Sequence, residues 1–192
     1  MSMSETYSFI FRGQLTESAL DRAGRRVRHD LSANAEELRN MLGIHVLDVD
    51  HVAQAERMSF VYITVAAFEN SVRDLISRVL ADVEGENWWD ACVSDRVRSA
   101  AKSRLEAEEK VRWHVQRGDD PIRYTMLPNL ALIIENNFNH FEPYLHNVPW
   151  VKSVFEVIER SRNVIMHSGS LSDRDIARLG SLIRDWNSQV AI

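Results

Sequence analysis

The sequence predicts an all-α protein: a helical bundle built on one long central helix and closed by a C-terminal helical hairpin. Three observations carry this. Apolar residues recur at three- and four-residue spacing over most of the chain beyond residue 50, the period of one face of a helix. Only 7 Gly and 4 Pro occur in 192 residues, too few breaks for a many-stranded protein. The breaks from Gly43 onward, such as Gly85, Pro128, Pro149 and Gly169, fall at the ends of periodic runs.

The elements follow in order. Residues 7–12 (YSFIFR) have some strand character and lead into a polar segment, 16–31, containing "DRAGRRVRHD", which reads as a solvated helix or arm or as an arm that tracks phosphates. A short helix from Ser32 to Met41 stops at Gly43, a suitable C′ glycine. Asp50 can cap the long helix, whose stripe of Val61, Tyr62, Val65, Phe68, Val72, Leu75, Ile76, Val79, Leu80 and Val83 continues to Gly85.

After "NWWDAC", Ser94 opens a charged helix to about Gln116, where Arg96, Arg98, Lys102, Arg104, Lys110 and Arg112 alternate with glutamates in the manner of a solvated face. Pro128 suits the first turn of a helix through Leu130, Ile134 and Phe138, ended by Pro143. Pro149 starts another, with Val151, Val154, Val157, Ile158 and Ile165, closed by Gly169. In the last helix Ser172 caps, with Asp175 three residues on as a capping-box variant, and Ile176, Leu179, Leu182, Ile183 and Trp186 form the apolar stripe. The expected organisation is one domain over 1–192, an N-terminal extension (1–48) followed by a core bundle (49–192).

Bulk properties narrow the function. A formal net charge of −5 argues against a surface that binds nucleic acid everywhere, so any such contact must be focal. The single cysteine, Cys92, rules out an internal disulfide framework and reads as a small buried hydrophobe. The N-terminus shows no signal or transit peptide, and the most apolar stretch, 58–68, is too short to span a bilayer, so a soluble cytoplasmic protein without membrane contact is expected.

Among the candidate sites, His140 and His146 near Glu135 and Glu142 lack compact metal-ligand spacing, and neither metal nor cofactor is expected. Trp88 and Trp89 could stack bases, but a core or interface role suits them better. The stretch "ERSRNVIMHSG" (159–169) differs, because arginine binds phosphate and a neutral histidine takes a proton from a 2′-hydroxyl near pH 7. Spacing alone is weak, since Arg22/His29, Arg39/His45, Arg160/His167 and Arg162/His167 all qualify. Only the 160–167 group lies on an uninterrupted amphipathic helix.

At about 100° per residue, Glu156, Arg160, Asn163 and His167 form one polar stripe, and Arg162 falls roughly 140° from His167. The helical wheel therefore favours Arg160 as the partner of His167, whereas the asparagine at 163 favours Arg162. A purely structural alternative has Arg162 and Asn163 brace neighbouring helices and His167 sit at a helix end, stabilised by the dipole.

The segments "NLALIIENNFNHF" and "PWVKSVFEVIERSRNVIMHSGSLSDRDI" resemble the HEPN superfamily, and most of all its Swt1-type branch. The signature there is an arginine, often followed by a polar residue, and a histidine four to six residues later, which "RNVIMH" (162–167) fits. The likeness spans about residues 55–187 in architecture and is specific over 128–176. It implies an all-α endoribonuclease that needs no metal, in which Arg162 and His167 are catalytic with Asn163 as polar partner; Arg160, a second arginine that the motif does not demand, is expected to assist in RNA binding. It also implies RNA as partner, a homodimer with a shared cleft, a possible antitoxin or other regulatory protein, and a role in toxin systems, phage defence or RNA processing. A toxin subgroup carries a modifiable tyrosine two residues after the histidine. This chain has Gly169 there, which puts that form of control in doubt. The alternative is a non-catalytic HEPN-like helical module that binds a protein or a nucleotide.

Overall fold

The computed structural model describes Thr16 and residues 31–190. The strand-like 7–12 segment and nearly all of the polar 16–31 segment lie outside the described residues. All regular structure among the described residues is helical, as expected. The chain divides into two compact units, Met1–Ala53 and Gln54–Ile192.

The first unit holds helix α1 (Leu31–Met41), a 3₁₀ turn (Ile44–Val46) and the start of helix α2 (Val49–Glu84). Gly43 takes φ 64°, the left-handed conformation that a C′ glycine adopts without a Cβ penalty. The residue that caps α2 is Asp48, not Asp50. Its Oδ1 accepts from the backbone N–H of Asp50 at 3.0 Å and of His51 at 3.2 Å, so the helix begins two residues earlier than Asp50 suggests.

In the second unit, the 36-residue α2 supplies the core with Met58, Val61, Val65, Phe68, Val72, Leu75, Ile76, Val79 and Leu80. Tyr62, at the flank of the expected stripe, and Val83, in the last turn of the helix, are exposed. After the short helix α3 (Trp88–Cys92) comes the charged helix α4 (Asp95–Glu109), which stops well short of Gln116. Trp113 and Val115 beyond it are exposed, so no buried surface offsets the ordering of a stretch rich in poor helix formers.

A 3₁₀ turn (Pro121–Tyr124) leads to α5 (Leu127–Asn136), with Pro128 in its first turn. Asn137 interrupts this helix before Pro143. Its side-chain amide donates to the Cys92 carbonyl at 3.0 Å and the Ile133 carbonyl at 2.8 Å, tying α5 to the end of α3, and only the four-residue α6 (Phe138–Phe141) follows. Helix α7 (Val148–Met166) is capped by Asn147, whose Oδ1 accepts from Trp150 N–H at 2.8 Å.

Helices α7 and α8 (Asp173–Val190) form the C-terminal hairpin and pack against α2 through an aromatic cluster. Phe68, Phe155 and Trp186 meet with centroids 5.3–5.8 Å apart, Phe68 edge-on to each of the other two rings, and Trp150 stacks on Trp186 at 5.7 Å. Leu171 N–H donates to Met58 Sδ at 3.4 Å, Gln54 donates to Ser170 Oγ at 2.7 Å, and Arg57 pairs with Asp173. These contacts hold the loop after α7 against the flank of α2. No described helix is long and apolar enough to cross a membrane.

Candidate functional site

The end of α7 shows why its residues separate. Val151, Val154, Phe155 and Ile158 are buried against α2, α5 and α8, so the rotation of the helix is set by the core. Arg160, Asn163 and His167 then face solvent together. Arg160 pairs with Glu156 one turn back, at an exposed position. The His167 side chain has no hydrogen bond or ion pair within the described residues, and its backbone N–H donates to the Asn163 carbonyl at 3.2 Å.

Arg162 is turned away from that face. Its Nε lies 3.3 Å from Glu69 Oε1 on α2, with the arginine 33% and the glutamate 15% exposed. The structure thus places Arg160, Asn163 and His167 side by side, as the wheel indicates, and Arg162 across the edge of the helix from His167.

Helix α7 ends in a Schellman motif. Gly169 N–H donates to the Val164 carbonyl at 2.8 Å and Ser168 N–H to the Ile165 carbonyl at 3.1 Å, which makes His167 the C-cap and Ser168 the left-handed C′ residue, with φ 61°. The glycine therefore does not supply the positive φ. It supplies room, because a Cβ at 169 would sit 2.8 Å from Val164 Cγ1 and 2.9 Å from the Val164 carbonyl oxygen. A tyrosine at this position would meet the same obstruction, which gives a steric reason for its absence.

Behind α7 lies a cavity of about 350 Å³ lined by residues of α2, α4, α5 and α7 and of the loop before α5. Arg73 anchors it. This side chain is 13% exposed and donates to Glu69 Oε2 at 3.1 Å, to the Thr125 carbonyl at 3.0 Å and to Asn70 Oδ1 at 3.1 Å. Arg104 donates to the Tyr124 carbonyl at 2.8 Å and Asn129 Oδ1 at 3.4 Å. The expectation that Arg104 belongs to a solvated face is corrected here, because the 3₁₀ turn folds over that part of α4 and covers it. Arg117 pairs with Glu108 at 2.6 Å and lies 5.5 Å from the centre of the Tyr124 ring.

Sequence reasoning missed this arginine group because its members come from segments separated by up to 89 positions (73 to 162). One signal was available: a Glu69/Arg73 pair at i, i+4 inside the long core helix has to be satisfied by something packed against it.

The other candidates stay apart. His140 Nε2 contacts Asn139 Nδ2 at 3.0 Å, and the backbone N–H of His146 donates to Gln189 Oε1 at 2.9 Å. No group of three or more His, Cys, Asp or Glu among the described residues is arranged to hold a metal ion. Trp88 and Trp89 pack edge to face, 5.5 Å apart, partly buried against the core. Cys92 is half-buried, and burial, with a smaller contribution from Glu84, raises its thiol pKa above 9.0, which weakens it as a nucleophile at neutral pH. Comparison with family models, curated proteins and solved structures finds no match for this chain.

Proposed function

We propose that the protein is a metal-independent endoribonuclease of HEPN type that acts on single-stranded RNA as a homodimer. The observation that carries this reading is the solvent-facing row of Arg160, Asn163 and His167 at the end of α7, with a histidine ring that has no partner among the described residues. In the proposed reaction, neutral His167 takes the 2′-hydroxyl proton and the 2′-oxygen attacks the adjacent phosphorus. The bond from phosphorus to the 5′-oxygen breaks, and that oxygen leaves with a proton from the second copy's imidazolium. A guanidinium stabilises the charge gathering on the phosphoryl oxygens, and the products are a 2′,3′-cyclic phosphate and a 5′-hydroxyl.

Arg162 fits this role if its Nη groups reach the RNA, since its one ion pair among the described residues runs through Nε and the Glu69 carboxylate is shared with Arg73. Two copies that present this row to each other would bring both His167 rings and both Arg160 side chains into one cleft. A protein partner of antitoxin type would restrain such an enzyme by covering the same face.

A second reading, a non-catalytic helical module that binds a protein or nucleotide, is favoured by one observation. Arg162 is held against α2, on a different side of α7 from His167.

The test is incubation of purified protein with labelled single-stranded RNA, with and without EDTA, together with light scattering. Cleavage that survives EDTA, leaves cyclic phosphate ends and comes from a dimer is the expected result. Intact RNA, cleavage that needs added magnesium, or a monomer at micromolar concentration would overturn the reading.

A further inference from the structure

The cavity behind α7 is built like an anion site and lies off the His167 face. Four arginines line it, Arg73, Arg104, Arg117 and Arg162, against two carboxylates, Glu69 and Glu159. That leaves an excess of two positive charges in the lining, or one once the Glu108 partner of Arg117 is included, in a chain whose net charge is −5. Like charges gathered in a half-enclosed space repel one another, and a bound anion relieves this.

The donors are only partly used. Arg162 is engaged through Nε, Arg117 through Nε and Arg104 through Nη1, so each guanidinium keeps N–H groups without an acceptor among the described residues. Arg73 Nε is buried and has no hydrogen-bond partner among the described residues. The volume, about 350 Å³, falls in the range of roughly 300–1,000 Å³ usual for small-ligand sites.

We infer that this cavity binds the phosphate group of a phosphorylated ligand, held by the free N–H groups of Arg104, Arg117 and Arg162, with Arg73 adding fixed positive charge behind them. Phosphate is favoured over a single carboxylate because it offers more acceptor oxygens and charge to several converging guanidinium groups, which match its geometry two donors at a time. The inference stands whether or not the protein cleaves RNA.

Calorimetric titration of the purified protein at low ionic strength tests it, with three probes: pyrophosphate, AMP and a short oligodeoxyuridylate. The last lacks the 2′-hydroxyl and cannot be cleaved, so its binding is measured independently of any nuclease activity. One-to-one binding of pyrophosphate or AMP identifies a free phosphorylated molecule as the source, and binding of the oligonucleotide alone identifies a nucleic-acid backbone. Arg117 is 52% exposed at the rim, so Arg117→Ala should keep the fold, checked by circular dichroism, while weakening binding about 10- to 100-fold. Glu159→Gln removes a negative charge from the wall and should tighten binding several-fold, a change of sign that mere damage to the fold does not produce. The inference is overturned if none of the three probes binds at millimolar concentration, or if Arg117→Ala and Glu159→Gln both leave affinity as it was.

Discussion

Two glutamate–arginine pairs with the same i, i+4 spacing, Glu69–Arg73 on α2 and Glu156–Arg160 on α7, sit in opposite surroundings. The first pair is 15% and 13% exposed, joins the Thr125 carbonyl and Arg162, and lines a cavity. The second is 62% and 77% exposed and makes no other side-chain hydrogen bond or ion pair among the described residues. Identical local sequence grammar therefore yields a brace between elements in one place and a solvated surface pair in the other. What differs is whether another element covers the pair. The same contrast divides α7, where Arg162 belongs to the covered side and Arg160, Asn163 and His167 to the open one.

The largest expected effect lies on the open side. Under the proposed mechanism, His167→Ala should lower the RNA cleavage rate about 10²–10⁴-fold with helix content unchanged by circular dichroism, since a positioned general base contributes about that much. Arg162→Ala should be comparably damaging and Arg160→Ala less so. An inactive Arg160→Ala beside an active Arg162→Ala would assign the catalytic arginine to the open side, and normal cleavage by His167→Ala would end the enzyme reading at this site.

Stability should separate the two pairs. Glu69→Ala strips a largely buried Arg73 of its carboxylate and should cost about 1–3 kcal/mol in urea denaturation. Glu156→Ala should cost no more than about 0.5 kcal/mol, as for a solvated i, i+4 pair. Equal losses would show that the covering elements contribute nothing.

At the end of α7, Gly169→Ala forces a Cβ against Val164 and should destabilise the protein by about 1–3 kcal/mol. Ser168→Gly, which relieves a left-handed non-glycine residue, should gain up to about 1 kcal/mol. Thermal melts of both variants check this, and an unchanged melt for Gly169→Ala would mean that the tight helix end yields easily.

The smallest effect concerns the exposed cap of α8. Donation from the Ser172 hydroxyl at 2.6 Å holds the Asp175 carboxyl below its ordinary 3.8. Because the folded pKa is depressed, the stabilisation is present above the ordinary carboxylate value and is lost as pH falls through it toward the folded one. Ser172→Ala should therefore lose slightly less stability than the wild type between pH 5 and about pH 3, measured by melting temperature. Parallel curves would show that the cap carries no charge-dependent stability.

The sequence by itself determined the helical class, the α2 core stripe, the α7–α8 hairpin and the Ser172–Asp175 cap. Each rests on contacts within one or two turns: apolar period, proline at a first turn, a hydroxyl and a carboxylate three residues apart. The solvent-facing row of Arg160, Asn163 and His167 was legible for the same reason, since the angle around one helix follows from spacing alone. Where α4 and α5 stop was decided elsewhere, by the lack of burial around Trp113 and by the grip of Asn137 on the Cys92 carbonyl. Only the tertiary structure decided that Arg162 meets Glu69 and that Arg73, Arg104 and Arg117 converge with it on one cavity. The physical reason is distance along the chain. A guanidinium's partner is set by which helices pack together, and periodicity shows which face of a helix is buried without showing what buries it.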